Sequence, residues 1–230
     1  MKILRPNEQR AKNAITMIWI VLALEVMSLI SGYRNHSLLN DIANGIEISE
    51  ETASVSDTTE QILGIVYSVV FVISGIVFIR WFRRAYYNLS LLNVRLSFTE
   101  GWAAGSWFVP IIYLFRPYQI MKELYTKTKL LLNTNKINLH QDFKTNILGY
   151  WWVLWIISNL LSHFIFRYSL KVETLEEIMR LSVVSIISNI IGIPSAILAI
   201  KVVKDYSNVE PLLHKINTEN KSLEQHKSIL

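Results

Sequence analysis

The sequence has no cysteine, and this absence excludes disulfide bonds and thiolate metal sites while leaving the redox compartment undetermined. The motifs G-x-G-x-x-G, G-x-x-x-x-G-K-[ST], H-E-x-x-H and G-x-S-x-G are also missing. The five histidines are scattered without the spacing of metal ligands, and no internal repeat is present. We therefore predict a protein without catalytic residues, metal or cofactor.

What the 230 residues do contain is a set of long apolar blocks, with nearly all charges between them. The hydrophobic share is 51% and the mean hydropathy is +0.31. A helix needs about 20 mostly apolar residues to cross a bilayer. Four blocks meet this length, and they are residues 14–30, 62–82, 147–166 and 181–203. The sequence therefore predicts an all-α membrane bundle with four transmembrane helices.

The N-terminus loosely resembles a signal peptide, because a basic stretch precedes an apolar run. The run 14–30 is longer than a usual signal core, and Ser31–Arg34 makes a poor cleavage site. We interpret it as an uncleaved anchor. The predicted organisation is an N-terminal segment 1–13, a membrane domain 14–206 and a tail 207–230.

The distribution of Lys and Arg predicts the orientation, because cytoplasmic loops of membrane proteins are rich in both. Basic residues precede the first block and follow the second, whereas the loop 32–61 is acidic. Both ends are therefore expected in the cytoplasm of a bacterial-type inner membrane, with this loop outside. The net charge of +5 and the pI near 9.3 would also suit a protein that binds nucleic acid, but the basic residues flank the apolar blocks. We therefore expect anionic lipid at the cytoplasmic face and no nucleic acid.

A fifth apolar block, 101–115, has basic residues on both sides and contains Pro110. A re-entrant hairpin or half-helix keeps both flanks on one side, and Gly101 and Gly105 would permit close packing. The alternative is a short, tilted fifth crossing. After it, 117–132 has the pattern of an amphipathic helix lying in the membrane interface. Its predicted lipid-contacting lysines are Lys122, Lys127 and Lys129.

Several motifs occur in order along the chain, and they are Tyr87-Asn88-Leu89, Gly101-Trp102-Ala103, Gly105, Trp107-Phe108, Pro110, Arg116-Pro117, Gln119 and Trp151-Trp152. Together they resemble bacterial membrane proteins grouped as domain-of-unknown-function family 4328. The resemblance covers roughly residues 80–203. One departure is Tyr113, where many relatives would have Asn. The resemblance implies a multi-pass bacterial membrane protein and no particular activity.

Glu25 is the most unusual residue of the apolar blocks, because an ionisable group near the bilayer centre is costly. Counting residues along each helix places Glu25, Ser68, Asn159 and Asn189 at similar depth. They could form a site for a proton, ion or small polar ligand, or they could be structural contacts between helices, which we favour.

Arg80, Arg83 and Arg84 directly follow a crossing. Setting topology and contacting anionic lipid is the favoured interpretation. A specific phosphate site is the alternative.

These observations favour a non-catalytic membrane module that binds lipid, a protein partner or another copy of itself. A small transporter or channel subunit using Glu25 is the alternative, and a membrane enzyme is a third hypothesis.

Overall fold

The computed structural model describes residues 4–92, 94–137 and 143–227. The end residues 1–3 and 228–230, which we predicted to be cytoplasmic, lie outside this part. The described chain has no strand and is built from helices, which confirms the all-α prediction. The helices are α1 Glu8–Ala43, α2 Glu50–Ser90, α3 Glu100–Gly105, α4 Arg116–Thr134, α5 Asn146–Ser169 and α6 Leu175–Lys227, with a 3-10 turn at Ile112–Leu114.

Four of these helices, α1, α2, α5 and α6, are long and apolar enough to cross a membrane, as predicted. Only 33%, 11%, 17% and 28% of their respective apolar windows are buried within the protein. A soluble protein rarely exposes so much contiguous apolar surface. The outward surface of these helices is therefore suited to lipid.

The long helices extend beyond their apolar blocks. α1 has 36 residues and is therefore about 54 Å long, whereas the hydrocarbon core is about 30 Å thick. α1 continues to Ala43 and α2 begins at Glu50, so most of the acidic segment 32–61 is helical and the turn between them is short. Likewise α6 continues beyond its apolar block through the polar tail to Lys227.

The chain divides into two compact units. The first, here called the basic unit, comprises residues 1–16, 75–150 and 200–230, and the second, the apolar unit, comprises 17–74 and 151–199. The basic unit has 19 of the 23 Lys and Arg residues and 8 of the 18 Asp and Glu residues, giving a formal charge of +11. The apolar unit has the remaining 4 basic and 10 acidic residues, giving −6.

Helix α4 forms much of the core of the basic unit. Its side chains Ile120, Met121, Leu124, Tyr125 and Leu132 are at most 1% exposed. The Tyr125 ring stacks on Phe143 with centroids 4.4 Å apart, and its hydroxyl donates to the Val202 carbonyl at 2.6 Å. The predicted amphipathic helix is present, but its apolar face packs against protein. This face is therefore not free to enter the membrane interface as predicted, and lipid contact by its lysines stays a prediction.

The fifth apolar block is broken rather than continuous. α3 has six residues and is therefore about 9 Å long, far too short to cross a bilayer. Pro110 follows, and Ile111 adopts φ 65°, an unfavourable angle for a β-branched residue. The interruption supports a half-helix over a single tilted crossing, while its depth in a membrane stays a prediction.

Candidate functional site

A cavity of about 290 Å³ in the basic unit is lined by five arginines. Arg80, Arg83 and Arg84 lie on the last turns of α2 together with Tyr87, which also lines the cavity. The spacing of three, four and seven residues places these four side chains on one face of the helix. Arg5 and Arg10 come from the N-terminal segment, and Glu100 begins α3.

Several arginines are held in place by specific contacts. The Arg10 guanidinium donates from Nη1 to the Arg80 carbonyl at 3.1 Å, which ties α1 to α2. The Arg5 guanidinium lies over the Tyr87 ring, 4.8 Å from its centroid. Arg83 pairs with Glu100 through Nη2 and Oε1 at 3.3 Å, with both side chains partly exposed. These contacts limit the freedom of the guanidinium groups before any ligand arrives.

The cavity has a strongly positive local charge. Among the described residues that line it, Glu100 is the one acidic side chain against five arginines, which leaves a formal charge of +4. Arg10 lies before the apolar block of α1. Burial, followed by the charges of Arg84, Arg80 and Arg83, lowers the pKa of Arg10. The cavity can therefore bind an anion, since an anion would offset repulsion that the single carboxylate leaves uncompensated.

The N-terminal segment is clamped in place by a buried polar cluster of Asn7, Asn88 and Glu210. The Asn88 side chain accepts the Arg5 backbone N–H at 3.0 Å and donates to the Arg5 carbonyl at 2.8 Å. Asn88 Nδ2 also donates to Glu210 Oε1 at 2.9 Å. Asn7 Nδ2 donates to both Glu210 oxygens, at 3.2 and 3.0 Å. This Asn7–Asn88–Glu210 cluster joins the N-terminal segment, the end of α2 and the C-terminal part of α6.

Burial in the cluster disfavours the ionised form of Glu210, whose side chain lies beyond the apolar part of α6. The three residues are between 0% and 4% exposed. Desolvation raises the pKa of Glu210, while the hydrogen bonds from Asn88 and Asn7, and then the charge of Arg84, partly oppose the rise. Arg84 lines the cavity as well. The cluster and the cavity therefore share one electrostatic environment.

Sequence inspection did not single out Asn7, Glu210 or the grouping of Arg5 and Arg10 with the α2 arginines. Asn88 was recognised only as part of the Tyr87-Asn88-Leu89 motif. Its double hydrogen bond to the Arg5 backbone gives that position a physical role. No local signal in the sequence connects residues so far apart along the chain.

The predicted re-entrant motif makes contacts within itself and with α2. Trp107 lies edge-on to Phe78 with centroids 5.7 Å apart, and its indole N–H donates to the Ala103 carbonyl at 3.2 Å. Gly101, Trp102 and Gly105 all belong to α3. A Cβ at Gly105 would meet nothing within 4 Å in the described chain, and one at Gly101 would make only an ordinary contact. Within the described residues, the close packing that these glycines would permit is not seen.

The end of that motif positions the start of α4. Arg116 donates to Gln119 Oε1 at 3.1 Å, and its guanidinium lies 5.0 Å from the centroid of the Phe98 ring. Pro117 occupies the first turn of α4 and is buried. Lys122 and Lys129 are exposed on this helix and Lys127 is half-buried, and none of the three lines the arginine cavity.

In the apolar unit, the Glu25 carboxylate is 6% exposed and accepts a hydrogen bond from the Tyr67 hydroxyl at 2.6 Å. It also lies against α6, where a Cβ added to Gly192 would be 2.6 Å from Glu25 Cδ. A side chain at 192 would therefore force the buried Glu25 carboxyl to shift. The structure thus gives Glu25 a phenolic donor and a glycine surface, neither of which we predicted.

The other three members of the predicted polar layer are arranged differently. Ser68 is exposed and donates to the Gly64 carbonyl of its own helix at 2.8 Å. Asn159 likewise donates to the Trp155 carbonyl one turn earlier, at 2.7 Å. Asn189 is half-buried on α6, and no hydrogen bond in the described structure joins it to Glu25. Ser68 and Asn159 therefore bond within their own helices, and no hydrogen bond of the described structure joins the four residues into one site.

Within residues 4–92, 94–137 and 143–227, no group of three or more His, Asp or Glu side chains is placed to hold a metal ion. Comparison with curated proteins gives no match, and comparison with solved structures gives none either. Residues 44–208 match the family described as Domain of unknown function (DUF4328). The match covers more than two thirds of the chain, leaving α1 outside it and including most of the acidic segment. The chain therefore belongs to the DUF4328 family.

Proposed function

We propose that this protein is a non-catalytic, multi-pass module of a bacterial inner membrane whose basic unit binds anionic lipid at the cytoplasmic surface. The observation that carries the proposal is the separation of charge, with +11 in the basic unit and −6 in the apolar unit. Clusters of Lys and Arg next to a membrane-crossing helix attract anionic lipid with about 1 kcal/mol per residue. Cytoplasmic segments are also the ones enriched in Lys and Arg.

The exposed apolar surface supports membrane insertion. On α2, Ile62, Ile65, Val69 and Val72 are between 54% and 61% exposed. Leu160 on α5 is 58% exposed. In water this surface would drive aggregation, whereas lipid solvates it at no cost. Together with the four long apolar helices, it favours a bilayer as the surrounding medium.

Lipid preference can be measured on the purified full-length chain by native mass spectrometry. With equal amounts of phosphatidylglycerol and phosphatidylcholine in the micelle, we expect more retained phosphatidylglycerol, with the excess declining as salt is raised. The triple substitution of Lys122, Lys127 and Lys129 to Gln should reduce the excess. Thr126→Ala, an exposed change on the same helix without loss of charge, is the matched control. Equal, salt-insensitive retention of the two lipids would contradict the proposal.

A transporter or channel subunit is the second candidate, favoured by one observation. Glu25 is buried in an apolar helix and accepts a hydrogen bond from Tyr67, and ionisable residues within membrane-crossing helices often mark proton and ion pathways. Thermal stability in detergent should then respond to pH or monovalent cations in the wild type and not in Glu25→Gln. Identical profiles for the two proteins would remove this candidate.

A further inference from the structure

The arginine cavity differs from an ordinary basic surface because its side chains converge on one partly open cavity. Arg80, Arg83 and Arg84 are contributed by one face of α2, while Arg5 and Arg10 line the cavity from the N-terminal segment. A surface that only attracts anionic lipid needs positive charge and no particular arrangement. Here the N-terminal segment is fixed by two hydrogen bonds between Asn88 and the Arg5 backbone.

The chemistry of the lining selects phosphate among anions. Each guanidinium presents several N–H donors in a planar fork that matches the oxygens of a phosphate group. A formal charge of +4 is better matched by the double charge that a phosphomonoester approaches at neutral pH than by a singly charged phosphodiester or carboxylate. About 290 Å³ is at the small end of ligand pockets, so the cavity suits a headgroup rather than an acyl chain.

The position of the cavity along the chain fits a lipid headgroup. The apolar block of α2 ends at Phe82, and the apolar block of α1 begins at Ala14. The cavity arginines of these two helices therefore lie at the polar ends of segments suited to the hydrocarbon core. That is the level at which lipid phosphates are found.

We infer that this cavity is a specific site for a phosphomonoester group, presented either by a lipid such as phosphatidic acid or by a free phosphorylated small molecule. The inference rests on the proposed function for the location of the cavity at the cytoplasmic surface. It goes further in assigning one defined site and one ligand chemistry. Glu100 should weaken binding of the anion, because its carboxylate is paired with Arg83 and repels negative charge.

Three forms of the full-length protein in phosphatidylcholine nanodiscs test the site. Arg80→Gln/Arg83→Gln removes two exposed cavity arginines, and Lys122→Gln/Lys129→Gln removes the same charge from exposed positions outside the cavity. Affinity for phosphatidic acid in the disc should decrease at least tenfold in the arginine pair and less than threefold in the lysine pair. Glu100→Gln should increase the affinity severalfold, a gain that misfolding cannot produce.

The arms of the experiment separate the sources of the phosphate. Binding of phosphatidic acid alone assigns a lipid ligand. Binding of inorganic phosphate or glycerol phosphate to the protein in discs of phosphatidylcholine alone assigns a soluble ligand. Either result supports the site if it depends on the arginine pair. Two results would refute the cavity as a specific phosphomonoester site while leaving general binding of anionic lipid intact. They are equal losses of affinity from the arginine and lysine pairs, or equal affinity for phosphatidic acid and phosphatidylglycerol. Failure of every anionic lipid to bind better than phosphatidylcholine would instead refute the proposed function.

Discussion

Removal of the Asn88 side chain should be among the most destabilising single changes in the basic unit. The side chain is fully buried and makes three hydrogen bonds, two to the Arg5 backbone and one to Glu210. Each such bond contributes about 1 kcal/mol net, with more for a charged partner and a further cost where a buried group loses its partner. We therefore expect Asn88→Ala to lower the free energy of unfolding by about 3–5 kcal/mol.

The assay is thermal unfolding of the full-length protein in a mild detergent. For a chain of this length each kcal/mol shifts the midpoint by about 2–4 °C, so Asn88→Ala should lower it by at least about 6 °C. Asn13→Ala is the matched control, because Asn13 is exposed and, among the described residues, its side chain bonds only Gln9 on the same helix. Its effect should stay within about 0.5 kcal/mol.

A second variant separates the hydrogen-bonding role of Asn88 from its volume. Asn88→Asp keeps the acceptor for the Arg5 N–H but loses the donor to the Arg5 carbonyl and places a second carboxylate beside Glu210. It should destabilise the protein at least as much as the alanine variant. A midpoint within 2 °C of the wild type for both Asn88 variants would refute the role of the cluster as a clamp.

Two further predictions concern the apolar unit. Gly192→Ala should destabilise the protein by about 1–3 kcal/mol because the added Cβ collides with the Glu25 carboxyl, whereas Gly75→Ala, where nothing lies within 4 Å, should be tolerated in the same melting assay. Tyr67→Phe removes the donor to Glu25 and should lower the free energy of unfolding by about 1 kcal/mol. Ser68→Ala, which removes a hydrogen bond within its own helix, should lower it by less. The reverse order would contradict the observed pairing of Glu25 with Tyr67.

The four long helices could be predicted because apolar composition over about 20 residues is sufficient evidence for a helix suited to a membrane. Their ends could not be located in this way. The segments 32–43, 50–61 and 207–227 are helical but polar, so the hydropathy signal stops before the helix does. Such polar extensions depend on helix-forming side chains and local contacts, which composition reveals only weakly.

The partner of Glu25 was missed because counting residues along a helix gives depth and not direction. Tyr67 and Ser68 are neighbours in the chain, yet their side chains differ by about 100° around the helix axis. The tyrosine points to Glu25, while the serine is exposed and bonds its own backbone. Tyrosine is also a common residue of apolar segments, so it did not stand out among the more polar candidates.

The cavity could be predicted only in part. Arg80, Arg83 and Arg84 are close in sequence, and they were recognised as one cluster. The contribution of Arg5 depends on its backbone hydrogen bonds to Asn88, 83 residues away, and the clamp is completed by Glu210, another 122 residues further on. Pairings over such distances are set by the packing of whole helices, which a single sequence does not encode in any local pattern.

The central claim, that the basic unit faces the cytoplasm and the acidic turn faces outward, can be tested directly on this cysteine-free chain. Glu47→Cys places one thiol in the exposed turn between α1 and α2, and Asn135→Cys places one at the exposed end of α4. In intact cells an impermeant maleimide should label the cysteine at position 47 and not the one at position 135, and both should react once the membrane is permeabilised. Labelling of position 135 and protection of position 47 in intact cells would contradict the account, since the arginine cavity would then face the wrong side of the membrane.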